Sequence, residues 1–404
     1  MQQNVGVLII GVKGAVATTL ISASLSALSN KKQYFALPSE QEPTFSDLEL
    51  VPLSAMRFGG WDVASASLAE SIKHHQVIPD QIQIELGEQL EQVFVKPGIT
   101  LTPAPIHDEL DPNLRRAQQV KNLRVLVEKL QEDIRTFKDR EQVEQVVILD
   151  LSSTAPGLDD ADCHQSLDLF EQILDLPMDR ALELNTINEG MLYAYAAINE
   201  ACPCINFTPS KTFDIPALVD LAKQKQVPLC GKDGKTGQTL YKTAIAPMLK
   251  QRALQVTGWY STNILGNRDG EVLDHPAHRK TKIDSKRAVL SDILGYDDFD
   301  HQVHIHYYKP RGDEKEAWDN VDFEGWFGVP MQMKINWLGS DSILAAPLAA
   351  DLIRWMVYLS QQGEVGVIEA LSSYFKSPLQ VQTHDFFAQV QDLRNYIAKL
   401  NHQN

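Results

Sequence analysis

The sequence predicts an α/β protein: a mostly parallel sheet covered by helices on both faces, followed by a second domain of longer, alternating strands. Three observations carry this. The chain opens on a short apolar run, a glycine turn and a helical stretch. Strand-like and helix-like segments then alternate, the pattern of a parallel sheet. Beyond about residue 240, apolar residues recur at every second position over longer runs, as in antiparallel sheet.

Taken in order, residues 5–10 (VGVLII) form a first strand that ends at Gly11, and residues 18–29 have helical spacing. Residues 31–47 are polar, contain Pro38 and Pro43, and read as a loop. Residues 50–58 return to a strand ending in Gly59-Gly60-Trp61-Asp62. Residues 122–137 are a helix and 143–151 a strand that stops at Ser152-Ser153-Thr154. Residues 181–184 and 205–207 are further short strands. Residues 227–230 precede a glycine loop that leads into a helix over 238–249. In the second domain, 254–261, 303–308 and 323–337 read as strands. Residues 286–294 read as a helix capped by Asp284 or Ser285 and stopped by Gly295. Helical spacing resumes over 344–359, 367–374 and 385–400, a tail expected to pack back on the first domain. The expected divisions are 1–239, 240–344 and 345–404.

Composition narrows the function. The chain has 404 residues, and 37 Lys+Arg against 53 Asp+Glu give a net charge of −16. Such a chain lacks the basic face that neutralises phosphates along a duplex, so no nucleic-acid partner is expected. Four cysteines without repeated spacing read as reduced and buried. The opening MQQNVGVLII reads as a strand and not as a signal peptide. The longest apolar stretch, 342–359, carries Asp351 and Arg354, which a lone spanning helix tolerates poorly. It reads as a buried helix, and a cytoplasmic protein with no membrane partner is expected.

Several segments have the residue types of a catalytic site. Gly11, Gly14, Ala15, Val16, Ala17 and Thr18 fit a loose G-x-x-G-x-x-A between strand and helix. Backbone amides and a helix dipole can hold a pyrophosphate there, although a plain tight turn has the same letters. Asp62, after the second strand, is the first acid placed to meet a ribose, and Ser153 and Thr154 follow the next strand. Residues 231–239 form a second glycine loop before a helix, another anion cradle. A Walker loop is excluded, because it needs glycine where Leu229 stands. Lys286, in the first turn of its helix, opposes the dipole unless an anion sits against both. Lys309, Arg311, Lys315 and Lys376 suit a phosphorylated substrate, and lysine also suits proton transfer once its pKa is lowered. His304 and His306 share a strand face, but no third ligand lies nearby, so the metal is left unknown.

Six blocks then stand in a telling order: GKDGKTGQT at 231–239, NILGNRDG at 263–270, HRKTKIDSK at 278–286, KPRGDEK at 309–315, SDSILAAPL at 340–348 and YFKSPL at 374–379. Together with GWD at 60–62 and NFTPS at 206–210, they resemble the signature segments of the myo-inositol-1-phosphate synthase family. The resemblance implies a Rossmann-like NAD-binding domain interrupted by an α+β catalytic and oligomerisation domain, in a homotetramer. It implies redox-neutral conversion of D-glucose 6-phosphate to 1L-myo-inositol 1-phosphate, the first step towards inositol and its phospholipids. NAD takes hydride from C5, a proton leaves C6, the enolate attacks the C1 aldehyde, and hydride returns to C5.

By motif position the resemblance implies Lys282, Lys286, Lys315 and Lys376 as catalytic lysines, with Asp233, Asp269 and Asp341 as the acids around nicotinamide and sugar. Thr236, Gly237, Gln238 and Asn267, with Lys286, would hold the phosphate. The cofactor would meet the first glycine loop, Asp62, Ser153, Thr154 and Asp341. Lys282 is favoured to exchange the C5 hydroxyl proton. A divalent cation, a monovalent cation or an ammonium group could each stabilise the enolate. Arg268 stands where the family usually has a second Asn, and the first loop has Lys13 to Ala17 where eukaryotic members are richer in Gly and Asn. Arg268 keeps open a related cyclase acting on another sugar phosphate. A non-catalytic NAD-binding sensor is the remaining alternative, disfavoured because all four lysines are present.

Overall fold

A computed structural model describes residues 4–28, 36–101, 109–266 and 289–403. The strands in chain order are β1 (Val5–Ile10), β2 (Met56–Asp62), β3 (Phe94–Pro97), β4 (Ile99–Thr100), β5 (Arg115–Arg116), β6 (Val146–Asp150), β7 (Cys204–Asn206), β8 (Pro228–Gly231), β9 (Gln255–Leu265), β10 (Asp300–Tyr307), β11 (Glu314–Glu324), β12 (Pro330–Ser340) and β13 (Gly366–Val367). The first sheet runs β13-β8-β7-β6-β1-β2-β3, every pairing parallel. Its strand β1 is buried throughout, as strands covered on both faces are. The second sheet runs β10-β9-β11-β12 and is mixed. β9 pairs with β11, and β11 with β12, in antiparallel fashion, whereas β10 runs parallel to β9. The antiparallel sheet expected from the alternation is therefore only partly so, since side-chain period does not encode strand direction.

Local readings change in several places: within 31–47, read as a loop, Pro38–Gln41 is a short helix and Pro43–Phe45 a 3₁₀ turn, and 367–374, read as helical, is the end of β13 and a 3₁₀ helix over Glu369–Tyr374. Pro52 and a 3₁₀ turn at Leu53–Ala55 delay the second strand, which runs on through both glycines to Asp62. Gly60 lies so close to β1 that a Cβ there would stand 2.0 Å from the Ile9 carbonyl oxygen. Residues 181–184 are helical, the end of Met178–Leu184: Pro177 opens that helix and Asn185, at φ 48°, closes it. A four-residue apolar run cannot distinguish the two periods. The run 323–337 is two strands, because Gly325, Phe327 at φ 64° and Gly328 at φ 68° turn the chain back. The register from Glu314↔Ser340 to Glu324↔Pro330 follows from that turn.

The chain forms two units, one of residues 1–74, 78–233 and 346–369, the other of 75–77, 234–345 and 370–404. The divisions thus fall at 233/234 and 345/346, and the tail beyond 370 belongs with the second unit instead of the first. Gly234 pairs with Phe375, and the helix Phe386–Gln403 packs on the helix Gln238–Gln251. In the first unit, Trp61 is buried and its indole N–H donates to Asp133 at 2.8 Å, tying β2 to the helix Leu123–Glu141. All four cysteines are buried and free.

Asp341–Gln361 is, among the described residues, the one helix long and apolar enough to cross a membrane, and most of it is buried. Its charges have partners. Asp351 accepts the Ser39 amide at 2.9 Å, and Arg354 donates to the Val51 carbonyl at 3.1 Å and to Asp351 at 3.2 Å.

Candidate active site

In the first unit the strand order reverses beside β1, between β2 and β6, which is where open parallel sheets bind nucleotides. Gly11 holds φ +82°, and a Cβ there would lie 3.0 Å from the Leu151 carbonyl oxygen. The Gly14 amide donates to Gly11 O at 3.0 Å, after which the helix Ala15–Leu28 begins. The first-turn amides of Ala15, Val16 and Ala17 have no carbonyl within the helix to receive them. Thr18 is drawn inward: its hydroxyl donates to Gly14 O and Ala15 O, both at 3.0 Å. Asp62 clamps the loop, accepting the Lys13 amide at 2.8 Å and the Ala64 amide at 3.0 Å, while Lys13 Nζ reaches Ala64 O at 2.6 Å.

The segment after β6 starts beside this loop, with the Leu151 amide on Ile10 O at 3.0 Å. It presents Ser153 exposed and Thr154 half-buried. Sequence reasoning missed Asp150. Burial pushes its carboxyl up, against the Ser152 hydroxyl and amide that donate to it at 2.7 and 2.9 Å. An acid ending an apolar strand was the available signal. Two glycine positions, the unpaired amides at the helix start and an acid at the end of β2 fit a dinucleotide's pyrophosphate and ribose.

In the second unit, Lys315, the second residue of β11, places Nζ 3.4 Å from Oδ1 of Asp341, the first residue of its helix. Thr236 Oγ1 donates to the same oxygen at 3.2 Å. Burial pushes the Asp341 carboxyl up, but Lys315, Lys376 and the Thr236 hydroxyl outweigh it and hold the pKa below its ordinary value. Asp313 sets the helix start: its carbonyl accepts the Asp341 amide at 3.1 Å, and its carboxylate accepts the amide and hydroxyl of Ser342. Lys376 arrives because the Gly234–Phe375 bridge and the Lys235 amide on Tyr374 O (2.8 Å) draw its segment to the glycine loop.

Gly237 begins the helix Gln238–Gln251 with no side-chain cap. A Cβ on it would come within 3.8 Å of Lys315 Cδ. Thr236, Gly237, Gln238, Lys315, Asp341 and Lys376 therefore gather in one place. Gln238, however, turns its side chain inward: its amide is buried, donating to Asp319 and accepting from Asn263. Asp233 belongs to the first unit, at φ 62°, with its amide on Thr208 O at 2.9 Å. Asn267, Asp269, Lys282 and Lys286 lie outside the described residues.

Lys235, in the same glycine loop, has no role assigned to it by the motif. Its side chain is buried, Nζ donates to Gln389 Oε1 at 2.7 Å, and burial lowers its pKa to about 7. Among the described residues no group of three or more His, Cys, Asp or Glu side chains is arranged for a metal. His304 and His306 stack with ring centroids 6.3 Å apart on β10.

Comparison with known proteins gives the family and the fold. A family model of an NAD-binding domain, described as Myo-inositol-1-phosphate synthase, matches residues 38–398. The chain is 39% identical to Inositol-3-phosphate synthase 1 of Bacteroides thetaiotaomicron, over 98% of this chain and 96% of that one. It is 30% identical to Inositol-3-phosphate synthase of Dictyostelium discoideum over 73% of this chain, which spans only 58% of that longer protein. The crystal structure of inositol-3-phosphate synthase from Caenorhabditis elegans has the same fold, with a TM-score of 0.85 at 22% identity, over 99% of this chain and 86% of that one. NAD is the cofactor, and the chain belongs to the myo-inositol-1-phosphate synthase family.

Proposed function

We propose that the protein converts D-glucose 6-phosphate to 1L-myo-inositol 1-phosphate without net redox change. The observation that carries this is the meeting of Lys315, Thr236 and Asp341 beside the uncapped start of the helix Gln238–Gln251. The amides at that start and the Thr236 hydroxyl suit a phosphate dianion. Lys315 and Lys376 are ammonium groups preorganised where oxyanion charge develops at the sugar, and Asp341 keeps them oriented. Lys282 takes the C5 hydroxyl proton and returns it, Lys286 and Asn267 complete the phosphate site, and Asp233 and Asp269 orient the remaining groups.

The loop Gly11 to Ala17, with Asp62, Ser153 and Thr154, holds NAD. When bound, NAD supplies a hydride acceptor that gives back what it takes.

The protein acts in the cytoplasm as a homotetramer. Support for assembly comes from the sheet edge. β12 is an outer strand with Met331 and Leu338 exposed, and Trp326, Phe327 and Val329 are exposed at the turn before it.

The test is product identity. The purified protein is incubated with glucose 6-phosphate and NAD, with and without a divalent cation, and the phosphate esters are read by NMR. Inositol 1-phosphate without accumulating NADH is expected. Its absence under every condition overturns the reading.

A further inference from the structure

The alternation that puts Lys315 on one face of β11 puts Asp319 on the same face, fully buried. Its carboxylate is the centre of a polar cluster. Oδ1 accepts the Trp259 indole N–H at 2.6 Å and the Ser261 hydroxyl. Oδ2 accepts the Gln238 side-chain amide at 2.9 Å and the Tyr241 hydroxyl. Lys242 Nζ stands 3.8 Å from Oδ1 and 3.3 Å from His301 Nε2. The other end of the Gln238 amide is held as well, its Oε1 accepting Asn263 Nδ2 at 2.6 Å.

A carboxylate serving only as counter-ion to Lys242 has no need of Gln238 or Tyr241. Both of those residues lie in the first turn of the helix whose uncapped start adjoins Lys315 and Thr236. With its side chain committed at both ends, Gln238 offers a phosphate its backbone amide, and the direction of that amide follows from where the side chain is anchored.

We infer that Asp319 is a positioning residue: through Gln238 and Tyr241 it sets the first turn of the helix Gln238–Gln251, and with it the backbone amides that receive the substrate phosphate. This rests on the phosphate site proposed above. Asp319→Asn puts an N–H where two donors converge, and it leaves Lys242 without its carboxylate.

The experiment uses the full chain loaded with NAD and titrated calorimetrically with inorganic phosphate, beside steady-state turnover of glucose 6-phosphate. The variants are Asp319→Asn, Gln238→Met and the two combined. Each single change is expected to weaken phosphate about tenfold and to raise KM more than it lowers kcat, with NAD affinity unchanged. The combination should fall short of the sum of the two single losses, because the contact between Gln238 and Asp319 is shared by both changes while Tyr241 is a second link lost only with Asp319.

Additive losses, or wild-type phosphate affinity in Asp319→Asn, would overturn the inference, as would a joint fall in NAD and phosphate affinity. If Asp319→Asn does not fold, Gln238→Met decides, and unchanged phosphate binding in it is fatal. Should the wild-type protein bind phosphate in this pattern yet make no inositol phosphate, the proposed reaction falls and the role of Asp319 stands.

Discussion

Lys315 Nζ and Asp341 Oδ1 stand 3.4 Å apart, one at the start of a strand and the other at the start of a helix. Burial pushes the Asp341 carboxyl up, but Lys315, Lys376 and the Thr236 hydroxyl together outweigh it and hold the pKa below its ordinary value. Lys315 is thereby given one fixed partner.

Lys315→Met should reduce kcat for inositol phosphate formation by about a hundredfold to a thousandfold, the usual loss when one preorganised donor is removed from developing oxyanion charge. NAD affinity, read by titration, should be unchanged. Near-normal turnover in this variant would remove Lys315 from the reacting site.

Lys235 makes stability depend on pH. Burial lowers its pKa to about 7, whereas the unfolded lysine titrates near about 10.4. Between those values the unfolded chain binds the extra proton, so this group makes stability rise with pH across that window. Thermal melts of the wild-type protein and Lys235→Met from pH 7 to 10 should show the variant with the flatter profile. Parallel profiles would contradict it.

Asp351 and Arg354 are a buried pair within an apolar helix. Asp351→Ala leaves the guanidinium only the more distant Glu40 carboxylate, at 3.7 Å, and should cost about 3 kcal/mol in urea unfolding, the low end of the range for breaking a buried pair from one side. A change within the error of the measurement would show that Glu40 or water replaces Asp351 at the guanidinium.

The first loop has no room for a methyl group. Gly11→Ala meets the Leu151 carbonyl at 3.0 Å in a left-handed backbone, and it should lower NAD affinity about tenfold or more with the fold retained. Gly60→Ala, 2.0 Å from Ile9 O, should prevent stable folding. Circular dichroism and NAD titration separate the two outcomes.

Phe327 is almost wholly exposed at the turn between β11 and β12. Phe327→Asp should lower the mass seen by light scattering while each protomer keeps its secondary structure. An unchanged mass would place the assembly surface elsewhere.

Much of this protein was legible in one dimension. The strand Val5–Ile10, its glycine turn and the helix after it follow from apolar period and turn chemistry, which are local. The stop at Gly295 came from the same kind of signal and is found at φ +84°. The six ordered blocks identified the family, because residues that handle charge recur as short strings around the backbone turns that present them.

Other features depend on which distant segments share a register or a burial. The hairpin within 323–337, the helix at Met178–Leu184 and the parallel entry of β10 are all choices among conformations that the local pattern allows. The tail from 370 joins the second unit through a bridge to Gly234 and a lysine that reaches Gln389. Motif position implies Gln238 as a phosphate ligand without saying by which atoms, and Asp319 and Asn263 hold its side-chain amide inside. Period and motif record what each residue is. A buried polar group takes its orientation from the partners that replace water around it, and those partners are brought in only when strands and helices far apart in sequence pack together.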